Sequence, residues 1–297
     1  MPITTERSCC WFFLLGLLLT GVPTLALAQA PDPADAEPSA AIEPKNAARP
    51  TSKELTTDEV KRFLDPTLMI SRLEYQFQAN FLPGGSELFT HRVRPWFALN
   101  RSHAAWVRIP YSHFSFPNGS GPRGIGDISV GWGFLVHENL RRRLTAVAAG
   151  VEVLFPTGDA TRATGSDRYI VRPSAAIVLN PTDKFPVNLV ARYLHSVDGS
   201  EREGPDRPVR TVQLELRTFH ILPKGFFLAF LPTLFIDLHQ DFNVFSFGLG
   251  AGRALSARVA IQGAYVEHIS GRGTFNRGFA FGLTYLWGKN KEASRPR

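Results

Sequence analysis

Cysteine is almost missing from this chain of 297 residues: there are two, Cys9 and Cys10, both among the first ten positions. If that opening segment is removed, the remainder can form neither a disulfide nor a cysteine metal centre. Long apolar runs are missing too, since the longest, Trp11 to Leu19, is well short of the ~20 residues a membrane-crossing helix needs. The eight histidines include no H-E-x-x-H pair, and no G-x-S-x-G elbow occurs, so the usual zinc- and serine-hydrolase signatures are absent. Glycine-rich strings do occur, at Gly248-Leu249-Gly250-Ala251-Gly252 and Gly124-Ile125-Gly126-Asp127, but neither opens a helix, as a phosphate loop must. The net charge of +7 is spread along the chain; its one run, Arg141-Arg142-Arg143, falls in an expected turn, which argues against a nucleic-acid patch.

What is present begins with an export signal over residues 1–28. Arg7 lies in a short polar start, an apolar run follows, Gly21 and Pro23 break it, and Ala26-Leu27-Ala28 supplies a small-x-small site with cleavage expected after Ala28. An exported chain could have used disulfides, whereas a closed barrel has no sheet edge to staple. Residues 29–55 are rich in Pro, Ala and charge and read as a disordered periplasmic linker. Thr56-Thr57-Asp58-Glu59 then supplies a hydroxyl cap and acidic first turn ahead of Val60, Phe63 and Leu64, with Pro66 as a stop. One short amphipathic helix is expected over 56–65, either resting under or inside a barrel or merely leading into its first strand.

From 70 to 287 the side chains alternate polar and apolar in stretches of about ten residues, the signature of an outer-membrane barrel. Ile70–Phe81 shows it best, with Leu73, Tyr75, Phe77, Ala79 and Phe81 on one side and Arg72, Glu74, Gln76, Gln78 and Asn80 on the other. The fold class expected is all-β: an antiparallel up-and-down transmembrane β-barrel of about twelve strands. Its strands are expected at Ile70–Phe81, Leu88–Leu99, Ala104–Phe114, Gly124–Val136, Leu144–Phe155, Arg168–Leu179, Val187–Ser196, Val209–Ile221, Phe226–Leu238, Asn243–Ala254, Arg258–Ile269 and Phe275–Trp287. Inner turns such as Asn100–His103 are short; outer connections at Phe116–Arg123, Pro156–Asp167 and Val197–Pro208 are longer. A basic tail, 288–297, closes the chain. Trp96, Trp106, Trp132, Tyr169, Tyr193, Tyr265, Tyr285 and Trp287 suit two interfacial girdles. Pro95, Pro110, Pro173 and Pro232 fall inside predicted strands, each removing a ladder donor, so bulges or breaks are expected there. Asn243–Ala254 pairs Phe245, Phe247 and Leu249 with Ser246, Gly248, Gly250 and Gly252, a face too small to fill a sandwich core.

Parity places Arg72, Glu74, Gln76, Arg92, Arg94, Arg108, Asp127, Glu152, Arg172, Arg192, Glu215, Arg217 and Asp237 on the lumen side as candidate pore-lining residues. Such a mixed interior either gives a pore a slight preference for anions or pairs across strands and plugs a narrow barrel. No cofactor, metal site or catalytic set is expected. Ser112, His113 and His195 are the side chains a barrel-embedded lipid hydrolase would draw on, and they do not assemble into a site from sequence.

Several pieces in order resemble the family of outer-membrane transporters named for the meta-pathway of phenol degradation. They are Glu59–Leu64 with Asp65-Pro66, the Ile70-Ser71 strand with Gln76-Phe77-Gln78, Gly124-Ile125-Gly126-Asp127-Ile128, Phe155-Pro156-Thr157-Gly158 and Arg172-Pro173-Ser174. The last strand, with Gly282, Tyr285 and Trp287, also resembles the assembly signal of outer-membrane barrels. The resemblance implies a barrel in the outer membrane of a Gram-negative bacterium that passes small, often hydrophobic or aromatic compounds. The partners expected are outer-membrane lipid and lipopolysaccharide, the barrel assembly machinery and a small-molecule solute, with no nucleic acid. A lipid hydrolase or deacylase and a structural or adhesion barrel are the alternatives.

Overall fold

Alternation becomes a closed wall in the computed structural model, which describes residues 55–138, 144–159, 164–197, 209–239, 242–271 and 276–287. The export signal, all of the linker but Leu55, the arginine run and the basic tail lie outside the described residues. Helix α1 (Thr57–Leu64) leads into strands β1 (Arg72–Phe81), β2 (Glu87–Ala98), β3 (His103–Phe116), β4 (Gly119–Ile125), β5 (Ser129–Glu138), β6 (Leu144–Leu154) and β7 (Ile170–Thr182). They continue as β8 (Phe185–Ser196), β9 (Arg210–Ile221), β10 (Phe226–Phe230), β11 (Thr233–Asp237), β12 (Phe242–Ala254), β13 (Val259–Ser270) and β14 (Arg277–Leu286). Every pairing is antiparallel, and β1 pairs with both β2 and β14, so the sheet closes on itself. β4 and β5 share one stave against β3, and β10 and β11 share another between β9 and β12; the barrel therefore has 12 strands' width.

The prolines explain those breaks. Pairing of β2 with β3 lapses between Val93↔Ile109 and Trp96↔Trp106, at Pro95, and β7 with β8 lapses between Val171↔His195 and Ser174↔Arg192, at Pro173. Neither lapse shifts the register. Pro232 divides β10 from β11, again without a shift on β9. Opposite Pro110 the partner stave carries an extra residue between β4 and β5, the bulge at Gly126-Asp127-Ile128, and Gly126 donates to the Pro110 carbonyl at 2.9 Å. A missing N–H is thus absorbed by a local gap in the ladder.

Two expectations are corrected. The stretch 116–123 is not an irregular connection: β4 starts at Gly119 and pairs back on β3, with Gly119 at φ 138°, a conformation that favours glycine. Trp96 and Trp106 belong to no outer girdle, because the register sets Trp96 beside Arg72, on the lumen side. Both indoles are buried and stack 4.3 Å apart. Trp106 lies flat against Gly131, where a Cβ would run into the ring.

The wall's outer face is apolar and uncovered: Phe97, Trp132, Leu189, Leu214, Leu249 and Phe281 all keep more than 40% of their surface. A water-soluble monomer does not expose apolar area all round its girth, whereas a lipid-facing band requires it.

Candidate channel interior

Three carboxylates organise the lumen, each from a strand whose polar side chains face inward. Glu74 of β1 lies 2.7 Å from Arg72 Nε and accepts from Arg94 Nε at 2.7 Å. Glu152 of β6 lies 2.5 Å from Arg108 Nη2, pairs with Arg172 and accepts from Ser129 Oγ. Glu215 of β9 accepts from Arg217 Nε at 2.8 Å and from Gln213 Nε2 at 2.6 Å, and pairs with Arg192. Each carboxylate sits between two guanidiniums. The register makes this possible: Glu74↔Arg94 and Glu152↔Arg172 are directly opposed, while Glu152 reaches Arg108 across the stave of Ser129 and Gly131. The Arg72 and Arg94 guanidiniums also lie over the Trp96 ring, 4.3 and 5.2 Å from its centroid. Arg92, opposed to Gln76 of β1 and Pro110 of β3, has no hydrogen bond or ion pair among the described residues.

At one end of the barrel the segment 55–70 crosses the mouth. Thr56 and Glu59 cap α1 reciprocally, with Glu59 N donating to Thr56 Oγ1 at 3.2 Å and Thr56 N to Glu59 Oε2 at 2.8 Å. Val60 and Leu64, on one face of the helix, pack on Phe219, Ile221, Phe227, Ala254 and Ala260. The register puts Phe219, Phe227, Ala254 and Ala260 on the lumen side, so α1 is seated in the mouth and is not merely a lead-in. Asn188 Nδ2, buried on β8, donates to the Leu64 carbonyl at 2.7 Å, and Lys61 lies 3.6 Å from Asp183. Asp65 then turns the chain, accepting from Thr67 N at 2.8 Å and Thr67 Oγ1 at 2.6 Å. Burial pushes the Asp65 carboxyl above the usual carboxylate range, against the Thr67 hydrogen bonds and the Arg72 charge, while Glu138 pushes the same way as burial. Met69 ends the crossing against Trp96, Ala104 and Trp106.

At the opposite end the β6–β7 connection is tied to the β4–β5 bulge. Asp127 accepts from Gly158 N at 3.1 Å, Ser166 N at 2.7 Å and Ser166 Oγ at 2.6 Å. Thr157 Oγ1 accepts from Ile128 N at 2.8 Å and donates to the Gly126 carbonyl at 3.0 Å. Gly158 and Gly165 meet so closely that a Cβ on Gly158 would stand 2.6 Å from Gly165 Cα. Gly124, which the register places on the lumen side with Ser112, and Gly126 both face Thr164, so the connection bends in over the opening. Asp127 therefore stands apart from the arginine triads as a loop clamp. Asp237, at the same end, accepts from His239 N at 2.8 Å. The sequence signal for the clamp was the pair of strings Gly-Ile-Gly-Asp-Ile and Phe-Pro-Thr-Gly, whose mutual contact only the fold reveals.

The hydrolase candidates do not meet. Ser112 faces inward beside Thr90, 3.4 Å between hydroxyls, while His113 and His195 lie on the outward parity of β3 and β8. Among the described residues no group of His, Cys, Asp or Glu could hold a metal ion.

The COG4313 outer membrane channel from Pseudomonas putida F1 superposes with a TM-score of 0.61 at 16% identity, covering 80% of this chain and 99% of that one. The KdgM porin gives 0.51 at 9% identity over 73% of this chain and 99% of its own, and the NanC porin 0.50 at 9% over 72% and 98%. At these identities the likeness is one of fold. Sequence comparison with curated proteins finds no match. The family model described as "Putative MetA-pathway of phenol degradation" matches residues 68–294, from the mouth-crossing segment through the last strand, and the chain belongs to that family.

Proposed function

We propose that this protein is a passive outer-membrane channel for small solutes, aromatic compounds among them, with its α1 end in the periplasm. The observation that carries the reading is the division of the wall: apolar, exposed side chains outside, and charged and polar side chains on the inward parity of the closed barrel. In this reading Arg72, Glu74, Gln76, Arg92, Arg94, Arg108, Glu152, Arg172, Arg192, Glu215 and Arg217 line the path with Asp237 at its outer rim, whereas Asp127, expected with them, holds the outer loop instead. The family's description, which refers to phenol degradation, supports small aromatic solutes. No energy source is needed: a solute passes the clamped outer loop, crosses the arginine belt and leaves past α1. Glu152 and Glu215 keep only 6% and 12% of their side-chain surface, so the carboxylates are covered by their arginines and the belt presents guanidinium groups to a solute. A lipid hydrolase is disfavoured by the separation of Ser112 from the histidines.

The test is ionic current across a planar bilayer, together with swelling of liposomes in phenol and in a disaccharide. Current and swelling in phenol alone are expected. Absence of both, with hydrolysis of phospholipid or lipopolysaccharide esters, would overturn the channel reading.

A further inference from the structure

The lumen repeats one motif three times, a carboxylate held between two arginines: Arg72-Glu74-Arg94, Arg108-Glu152-Arg172 and Arg192-Glu215-Arg217. The inward faces of the strands thus set seven arginines against three glutamates, and the one of the seven left over is Arg92. It is half-buried at mid-strand on β2, with Gln76 and Pro110 as its register neighbours and with Arg94, Arg108 and Arg172 among the charged groups near it. Among the described residues no carboxylate pairs with it: Glu74, the nearest inward acid on β1, is taken up by Arg72 and Arg94. A guanidinium held among like charges, with no acceptor among the described residues, is costly to bury unless an anion arrives.

We propose that Arg92, with Arg94 and Arg172 beside it, forms a binding site for the carboxylate of a small permeating organic acid, which completes a fourth arginine–carboxylate–arginine triad. Carboxylate is the class indicated because the planar fork of arginine matches it with paired hydrogen bonds, and the lumen's own glutamates already use that geometry. Gln78, Thr90 and Ser112, inward-facing on the strands around Arg92, add polar groups and no acid. Being mobile, the solute carboxylate can leave as the built-in ones cannot, which lets a binding site serve conduction. The inference rests on the channel reading for its role in permeation, but the site itself can be tested without current.

Two variants separate the possibilities. Arg92→Gln removes the site, and Gln76→Glu places a tethered carboxylate directly opposite Arg92. In detergent, benzoate is expected to raise the thermal midpoint of gel-migration loss above that in sodium chloride of equal ionic strength. Neither benzyl alcohol nor benzylamine should do so. Both variants should lose the benzoate response, and Gln76→Glu should show a raised midpoint without it. In bilayers under a salt gradient, the wild type is expected to favour anions and to carry benzoate, and both variants should lose part of that preference. An unchanged benzoate response in Arg92→Gln, or equal responses to benzoate and chloride, would overturn the proposal. A benzoate response lost in both variants without current in any protein would keep the site and overturn the channel.

Discussion

If α1 obstructs the periplasmic mouth, loosening it from the wall must open the channel without disturbing the barrel. Val60→Asp is the sharpest single change. Val60 keeps 1% of its surface and touches an entirely apolar set, Phe219, Ile221, Phe227, Ala254 and Ala260, with Leu64 beside it. Losing that burial costs about 1.5 kcal/mol or more. A carboxylate in the same place, with no donor among those neighbours, adds roughly 1–3 kcal/mol for an unmet polar group. Together these come to about 2.5–4.5 kcal/mol, and at 1.4 kcal/mol per tenfold the docked-to-undocked ratio should fall by roughly 60-fold or more. Undocking also releases the Asn188 bond to the Leu64 carbonyl, so a partly docked helix gains little. The barrel ladder does not pass through Val60, and heat-modifiable gel migration should be unchanged. Single-channel recording is the assay: longer open times or a larger unitary conductance than the wild type is expected. A correctly folded variant with the wild type's conductance and open time would show that α1 does not control passage.

The remaining predictions concern the triads, the clamp and the turn after the helix. Glu152→Gln leaves Arg108 and Arg172 facing each other without their shared carboxylate, and a loss of about 3–5 kcal/mol is expected, read as a lower thermal midpoint of gel migration. Little or no loss would mean the triad does not support the wall. Asp127→Ala removes the acceptor for three donors on the β6–β7 connection. That connection should become cleavable by protease from outside while the barrel core stays resistant, at a cost of about 1.5–3 kcal/mol per bond to a charged group. For Asp65, burial raises the folded-state pKa above the unfolded one, so the folded state binds more protons and docking of the mouth-crossing segment strengthens as pH falls through the raised value. Open probability should therefore drop on acidification, and Asp65→Asn, which keeps an acceptor for Thr67, should abolish that dependence; an unchanged pH profile would contradict the assignment.

Much of the wall was legible because a strand has only two faces and a single parity error turns both around. Arg72, Glu74 and Gln76 shared a face with Arg94 and Arg108 in sequence, and antiparallel pairing with short turns did the rest. Trp96 was available to the same reasoning, two residues from Arg94, but its place near a strand end suggested a girdle; parity outweighs axial position for an aromatic side chain. The clamp was not legible, since Asp127 and Ser166 are separated by a bulge and a loop whose meeting depends on tertiary packing.

The docking of α1 was half written in the strands. On β9 the inward positions are polar in the middle, at Glu215 and Arg217, and turn apolar toward one end, at Phe219 and Ile221. The neighbouring staves turn with it, at Phe227 on β10, Ala254 on β12 and Ala260 on β13. A water-filled mouth gives no reason for an apolar inward patch confined to one end, and exposed there it would lose the free energy of roughly 25 cal/mol for every Å² left in water. Something apolar must cover it. Among the described residues the one amphipathic α-helix precedes the first strand, at the same end of the barrel, and its apolar face carries Val60 and Leu64. Where the inward parity of several consecutive strands becomes apolar at one end, the chain segment adjoining that end is the element to test as its cover.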